Sequence, residues 1–199
     1  MYDTKFEEYE MMIGNSYQEN VYYLLQKYGG VIDDYYREKS YERFLNNEIK
    51  HITKGKYSRT NDGLVVHHIN ENKYLNLADK DFIMANKYPY ELQRKEQLVY
   101  CDLFEHLILH AIISNETNGK FGAPGYCAYI FPMVFEWFSY ERLPQSQWKL
   151  NCYNKAYLPK DLTRKLLVKI DQLLPKQYQS SYEFLTMDEE DYYILKAEE

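Results

Sequence analysis

Apolar residues recur at helical spacing over residues 5–28, where Phe6, Tyr9, Met12 and Ile13 are followed by Val21, Leu24 and Leu25. Gly14-Asn15-Ser16 can divide this stretch, and Gly29-Gly30 ends it. Val31 to Asn46 reads as the next helix, with Ile32, Tyr35, Tyr36 and Phe44 facing inward. Gly55 to Gly63 is rich in turn residues, Asn61-Asp62-Gly63 being the strongest signal. Leu64-Val65-Val66 then begins a short β-branched strand that runs into His67-His68. Residues 70–94 are polar and mixed, with Ala78 to Asn86 readable as a helix and Pro89 as an interruption. Leu98-Val99-Tyr100-Cys101 reads as a second strand, and Asp102 opens a helix that runs to about Ile113. Glu105 stands three residues after Asp102, the spacing of a capping box. Phe104, Leu107, Ile108 and Ala111 form one face of that helix. His106 and His110, four apart, project together from a neighbouring face. Gly119 to Gly125 is a loop, Tyr126 to Tyr140 a buried aromatic helix, and Leu162 to Leu174 an amphipathic helix with its basic residues outside. The acidic C-terminus is either a frayed tail or a docked segment.

This pattern predicts an α+β chain that is mostly helical. It falls into an N-terminal helical segment (1–48), a middle stretch with both strands and the histidine helix (49–115), and a C-terminal helical segment with an acidic tail (116–199). No linker, repeat or low-complexity run separates them, so all three can share one globular domain. With 45% apolar residues the chain can bury a full core. The 23 tyrosines are unusual; each has an apolar body and a polar tip suited to half-buried positions.

The net charge of −6 argues against a generally basic nucleic-acid binder. Residues 183–199 carry seven acids and one lysine, which accounts for that charge alone. By contrast, Ile49 to Thr60 contains Lys50, Lys54, Lys56 and Arg59 and no acid, a strip compatible with phosphate contacts or with a solvated face. Cys101, Cys127 and Cys152 are odd in number, far apart and form no CxxC pair, which argues against a disulfide framework and a four-cysteine zinc site. Met1 to Glu10 lacks the apolar run of a signal peptide, and no stretch approaches the length of a membrane span. A reducing cytoplasm, with no membrane partner, is the expected setting.

Four of the five histidines fall in two tight pairs. His67-His68 follows a short strand, and His106 and His110 sit at i, i+4 on the helix after another. Two imidazoles at that helical spacing can bind one cation, and a third from the strand end gives a three-histidine set with open positions, the pattern of a catalytic metal. Taken singly, each pair is also an ordinary surface feature. His51 is isolated, and Glu71 is either a solvated carboxylate or one that orients a ligand histidine.

The run Gly63-Leu64-Val65-Val66-His67-His68-Ile69 and the run from Gln97 to His110 resemble the two halves of the HNH (ββα-metal, His-Me finger) endonuclease motif, most closely the colicin-DNase style with His-His on the first strand and HxxxH on the helix. The resemblance covers roughly residues 50–113. It implies a small ββα-metal core embedded in a mostly helical domain. It also implies His67, His106 and His110 as ligands of one divalent metal ion (Zn, Ni, Mg or Mn), and His68 as the general base. The motif's middle Asn falls at Gln97, nine residues before His106. Gln97 would then brace the loop that orients the base, with one methylene more than Asn. The 28 residues between His68 and Gln97 are a longer insertion than compact members have.

The implied activity is hydrolysis of DNA phosphodiester bonds, with the cation stabilising the transition state and Lys50, Lys54, Lys56 and Arg59 holding the backbone. The implied partner is double-stranded DNA, and cutting both strands symmetrically calls for a homodimer. Two other readings fit the same residues. One is a non-catalytic protein of phage or plasmid origin that keeps this scaffold and acts on a host defence protein. The other is a helical interaction module with incidental histidines.

Overall fold

The computed structural model describes residues 2–198. Its first two helices, α1 (Tyr2–Gly14) and α2 (Tyr17–Tyr28), are separate because Ser16 caps the second. The Ser16 N–H donates to the Glu19 carboxylate at 2.8 Å, and the Ser16 hydroxyl accepts the Glu19 N–H at 3.3 Å.

The helix expected over Val31 to Asn46 shrinks to α3 (Glu38–Leu45). Residues 31–37 are irregular instead, with bends and one isolated antiparallel bridge between Tyr36 and Lys54, and Ile32, expected inside, is 64% exposed. Two carboxylates and three backbone pairings hold them so. Asp33 accepts the Lys56 N–H at 2.6 Å, and Asp34 accepts the Lys95 N–H at 2.9 Å. Tyr35 N–H pairs with Gln93 O, Arg37 N–H with Thr53 O, and Gly55 N–H with Tyr35 O. Side-chain and backbone partners distant in sequence thus win over helix formation. Tyr36 and Phe44 are buried as expected.

Strand β1 (Val65–His68) pairs antiparallel with β2 (Leu98–Cys101), His67 opposite Val99 and His68 opposite Leu98. Between them lies α4 (Lys80–Asn86), capped by Asp79. Beyond β2 the Asp102–Glu105 capping box forms in both directions and starts α5 (Leu103–Glu116). Nearly every position of α5 is buried, so it runs through the centre instead of presenting one face. A continuous helical stretch over 123–139, α6, includes π-helical turns at Tyr126–Ile130 and Phe135–Ser139. Then come α7 (Gln147–Ala156), which the apolar pattern does not announce, and α8 (Lys160–Asp171). The acidic end forms α9 (Tyr182–Thr186) and α10 (Glu189–Glu198), with Leu185 and Tyr192 buried in the main core, so it docks.

The result is a mostly helical α+β fold with one small two-stranded antiparallel sheet among the described residues. The main core draws on all three expected segments, through Phe6, Val99, Leu107, Phe138 and Leu167 among others. A second cluster gathers Tyr36, Tyr41, Phe44, Leu77, Ile83 and Tyr90. Tyrosine hydroxyls pin irregular backbone there: Tyr36 donates to Ala78 O at 2.7 Å, and Tyr88 to Leu75 O at 3.0 Å. No helix among the described residues is long and apolar enough to cross a membrane.

Candidate metal centre

The antiparallel pair brings the end of β1 beside the start of α5, since β2 passes into α5 through the single cap residue Asp102. His67 therefore meets the helical pair. Its ring centroid lies 5.2 Å from that of His106 and 5.1 Å from that of His110, and the helical pair are 4.9 Å apart. One nitrogen from each ring falls within 4.8 Å of the others. The three residues proposed as ligands from sequence are thus brought together.

Hydrogen bonds fix which nitrogen His67 and His110 offer. The Tyr17 hydroxyl donates its one proton to Ile69 O at 2.8 Å. It must then accept from His67 Nε2–H, also at 2.8 Å. His67 Nδ1 is left as a bare lone pair, buried and without a hydrogen-bond partner. Nδ1–H of His110 donates to Gly122 O at 3.2 Å, which turns Nε2 inward to 3.1 Å from Glu71 Oε2. An imidazole lone pair and a carboxylate that close need a cation between them, a proton or a metal ion. Such second contacts are those that orient ligating histidines.

The charge states suit ligation. Burial pushes the His67 imidazole down to about 3, outweighing Glu71, while His110 and His68 lower it further. Burial, His110 and His67 hold His106 well below its usual range. Glu71 behaves oppositely: burial alone would raise its carboxyl, but the hydrogen bond and charge of His110, with His67 and His68, hold it well below the carboxylate range. Neutral His67 and His106 beside an ionised carboxylate are donors that fit a divalent cation.

His68 turns away from His67. Its ring packs against Tyr35, centroids 4.6 Å apart, and its Nε2–H donates to Gln93 Oε1 at 3.1 Å. Gln93 is held in turn by its Nε2–H donating to Leu77 O at 2.9 Å, which leaves Oε1 facing the imidazole. The free nitrogen of His68 is therefore Nδ1, 3.9 Å from Glu71 Oε1. Burial lowers the His68 imidazole against the opposing effects of Glu71 and Gln93. His68, Glu71, His106 and His110 all line one cleft of about 380 Å³, rimmed by Tyr35 and Tyr129.

The remaining residues singled out from sequence are scattered. Gln97 does not reach His68; its Oε1 accepts from Asn70 Nδ2 at 2.6 Å, in the turn that follows β1. The amide that holds the His68 ring is Gln93. Of the four cations, Lys54 is exposed over the Tyr35 ring, 5.8 Å from its centroid, beside the cleft. Lys50 lines a separate depression with Lys39 and Arg43. Lys56 is exposed. Arg59 is engaged by Asp62 at 2.8 Å, Tyr28 O at 3.0 Å and the Tyr100 ring.

Sequence reasoning weighed Glu71 and missed Tyr17, Gln93, Gly122 and Gly125. A signal that could have ranked Glu71 higher is its spacing, four after His67 and three after His68 across the turn Ile69–Asn72. Gly122 has φ 78°, and a Cβ there would stand 2.4 Å from His110 O. A Cβ on Gly125 would stand 2.5 Å from His110 Cε1. Both glycines let the start of α6 close on the His110 ring. Compared with models of known families, with curated proteins and with solved structures, the chain matches none.

Proposed function

We propose that this chain is a metal-dependent endonuclease of the HNH type that hydrolyses phosphodiester bonds in DNA. The observation that carries the reading is the split within one dipeptide. His67 joins His106 and His110 around a bare, buried lone pair, while His68 turns to the cleft with Nδ1 free. A divalent cation held by His67, His106 and His110 would supply Lewis acidity to a phosphate oxygen and to the departing oxygen. His68 Nδ1, kept neutral by burial, accepts a proton from the attacking water. Gln93 holds the ring in the tautomer that leaves Nδ1 bare, and Glu71 balances the charge the ring gains. Three imidazoles favour Zn²⁺ or Ni²⁺, while Mg²⁺ or Mn²⁺ can serve if phosphate and water fill the other positions. Symmetric cutting of both strands would call for a dimer, and a cytoplasmic setting fits the free cysteines.

Incubating supercoiled plasmid with the EDTA-stripped protein and each of these metals tests the reading. Wild type is expected to nick or linearise DNA with at least one metal, leaving 5′-phosphate ends. His68→Ala is expected to keep its metal and lose about 10²–10⁴-fold in rate, the range for a positioned general base. Equal rates for wild type and His68→Ala would sink the role assignment.

A second reading rests on Glu71. Its Oε2 lies 3.1 Å from His110 Nε2, near enough to act as a fourth donor and close the coordination, as structural zinc sites do. The chain would then be a non-catalytic scaffold that binds another protein. Metal binding without cleavage under any metal favours it.

A further inference from the structure

We infer that the strand reaching the candidate metal centre is unpaired, its bases stacking in an aromatic groove beside the cleft. This rests on the nuclease reading for its biological sense, though not for its test. The groove holds about 450 Å³ and is lined by Tyr35, Tyr57, Trp148, Lys54, Ser58 and Val66 among others. It shares Tyr35 and Val66 with the metal cleft, so these two side chains are a common wall. Tyr35 and Tyr57 are stacked, centroids 4.4 Å apart and planes 15° from parallel. Trp148 is 47% exposed on the groove, and Tyr129 is 67% exposed on the cleft. Large aromatic surface left open on both sides of one wall suits successive bases.

The groove is built by a close approach. Gly63 has φ 76°, and a Cβ there would lie 2.3 Å from Lys155 Cβ and 2.6 Å from Asn151 O. Only without that atom can α7 lie against the 60–63 turn, which brings Trp148 beside Tyr57.

Charge decides between duplex and single strand. Duplex binding draws chiefly on neutralised phosphates. Here the chain carries −6, and only Lys54 of the four cations expected on the backbone lines the groove. A duplex hides its base faces; an unpaired strand offers one per nucleotide, each worth about 1–3 kcal/mol against an aromatic ring. Lys54 for the backbone beside two exposed rings, Trp148 in the groove and Tyr129 in the cleft, with Tyr57 half-buried, is the balance of a stacking site.

The test uses the full-length protein in EDTA, so that binding is read without cleavage. Oligo-dT, oligo-rU and a DNA duplex of equal length, each carrying a 5′-fluorescein, are titrated and binding is read by anisotropy for every variant; Trp148 fluorescence is followed as well in a Trp137→Phe background that keeps Trp148, since the chain has 2 tryptophans. Single strands are expected to quench Trp148 and to bind at least about tenfold tighter than duplex. Tyr57→Leu and Trp148→Leu are each expected to weaken that binding by about 5–150-fold, with zinc affinity unchanged. Duplex binding as tight as single-strand binding, undiminished binding by both variants, or no binding to any of the three overturns the inference. Single-strand binding without cleavage under any metal keeps this inference and sinks the nuclease reading. Metal-dependent cutting of duplex at full rate by both variants does the reverse.

Discussion

A histidine becomes a ligand when one ring nitrogen is occupied and the other is left bare, and this chain achieves that with neutral partners. Tyr17 takes the His67 Nε2–H, and Gly122 O takes the His110 Nδ1–H. Among the described residues, Glu71 is the carboxylate that reaches both. Its removal is therefore expected to cost more than a hydrogen bond. Glu71→Gln keeps the shape and loses the charge, and zinc affinity should fall by about 10–100-fold, the usual loss when a partner of a ligand is changed. Tyr17→Phe should act in the same direction by freeing the His67 ring to rotate. Competition against a chromophoric chelator reads both. Wild-type affinity in both variants would mean that the two contacts serve packing alone.

At the scale of elements, the cap of α5 and the start of α6 frame the site. The Asp102–Glu105 pair at the cap is buried with Lys27 at 2.7 Å from Glu105. Burial and the adjacent Asp102 push Glu105 up to about 7, against the pull of Lys27. A carboxyl raised on folding stabilises fully below its unfolded value of about 4.3 and loses that contribution as pH rises through the folded value. Stability of wild type relative to Glu105→Gln should therefore decline between about pH 5 and pH 8. Urea unfolding of both proteins at the two pH values measures it, and taking the difference cancels the histidine contributions. A constant difference would contradict the shift. At α6, Gly122→Ala should destabilise by at least about 1 kcal/mol, because its Cβ meets backbone at a positive φ. The nearest atoms that a Cβ at Gly125→Ala meets belong to the His110 ring, not to backbone. This substitution should leave stability nearer wild type and lower zinc affinity about tenfold or more. Denaturant midpoints and the chelator assay separate the two effects.

The elements around the site were legible because their signals are local. Val65 and Val66 before His67, and Asp102 with Glu105 before the helical pair, mark strand and cap by spacing alone. Residues 31–37 were not legible, because Asp33, Asp34 and Tyr35 find acceptors and donors more than 15 residues away. Helix α7 was missed because it buries Cys152, Tyr153 and Ala156, not a stripe of branched aliphatics. The histidine cluster could be proposed from sequence. Its tautomers could not, since Tyr17, Gln93 and Gly122 reach the rings only through tertiary contact.

On the scale of the whole molecule, the candidate centre joins parts that are distant along the chain. His67 sits on β1 and His110 on α5, with the second cluster's Leu77, Ile83 and Tyr90 inserted between them in sequence. A cation bound there holds only in the folded state and should stabilise the whole fold, by about 2.7 kcal/mol at a hundredfold excess over the dissociation constant. Thermal unfolding with and without zinc should show a rise in Tm that EDTA reverses and His110→Ala abolishes. An equal rise in His110→Ala would place the ion elsewhere. The central claim, that these three histidines hold one ion, is tested most directly by isothermal titration of the EDTA-stripped chain with Zn²⁺. The account predicts about one ion per chain for wild type and for His68→Ala. His106→Ala and His110→Ala should each lose that site. Unchanged stoichiometry and affinity in both of those variants would contradict it.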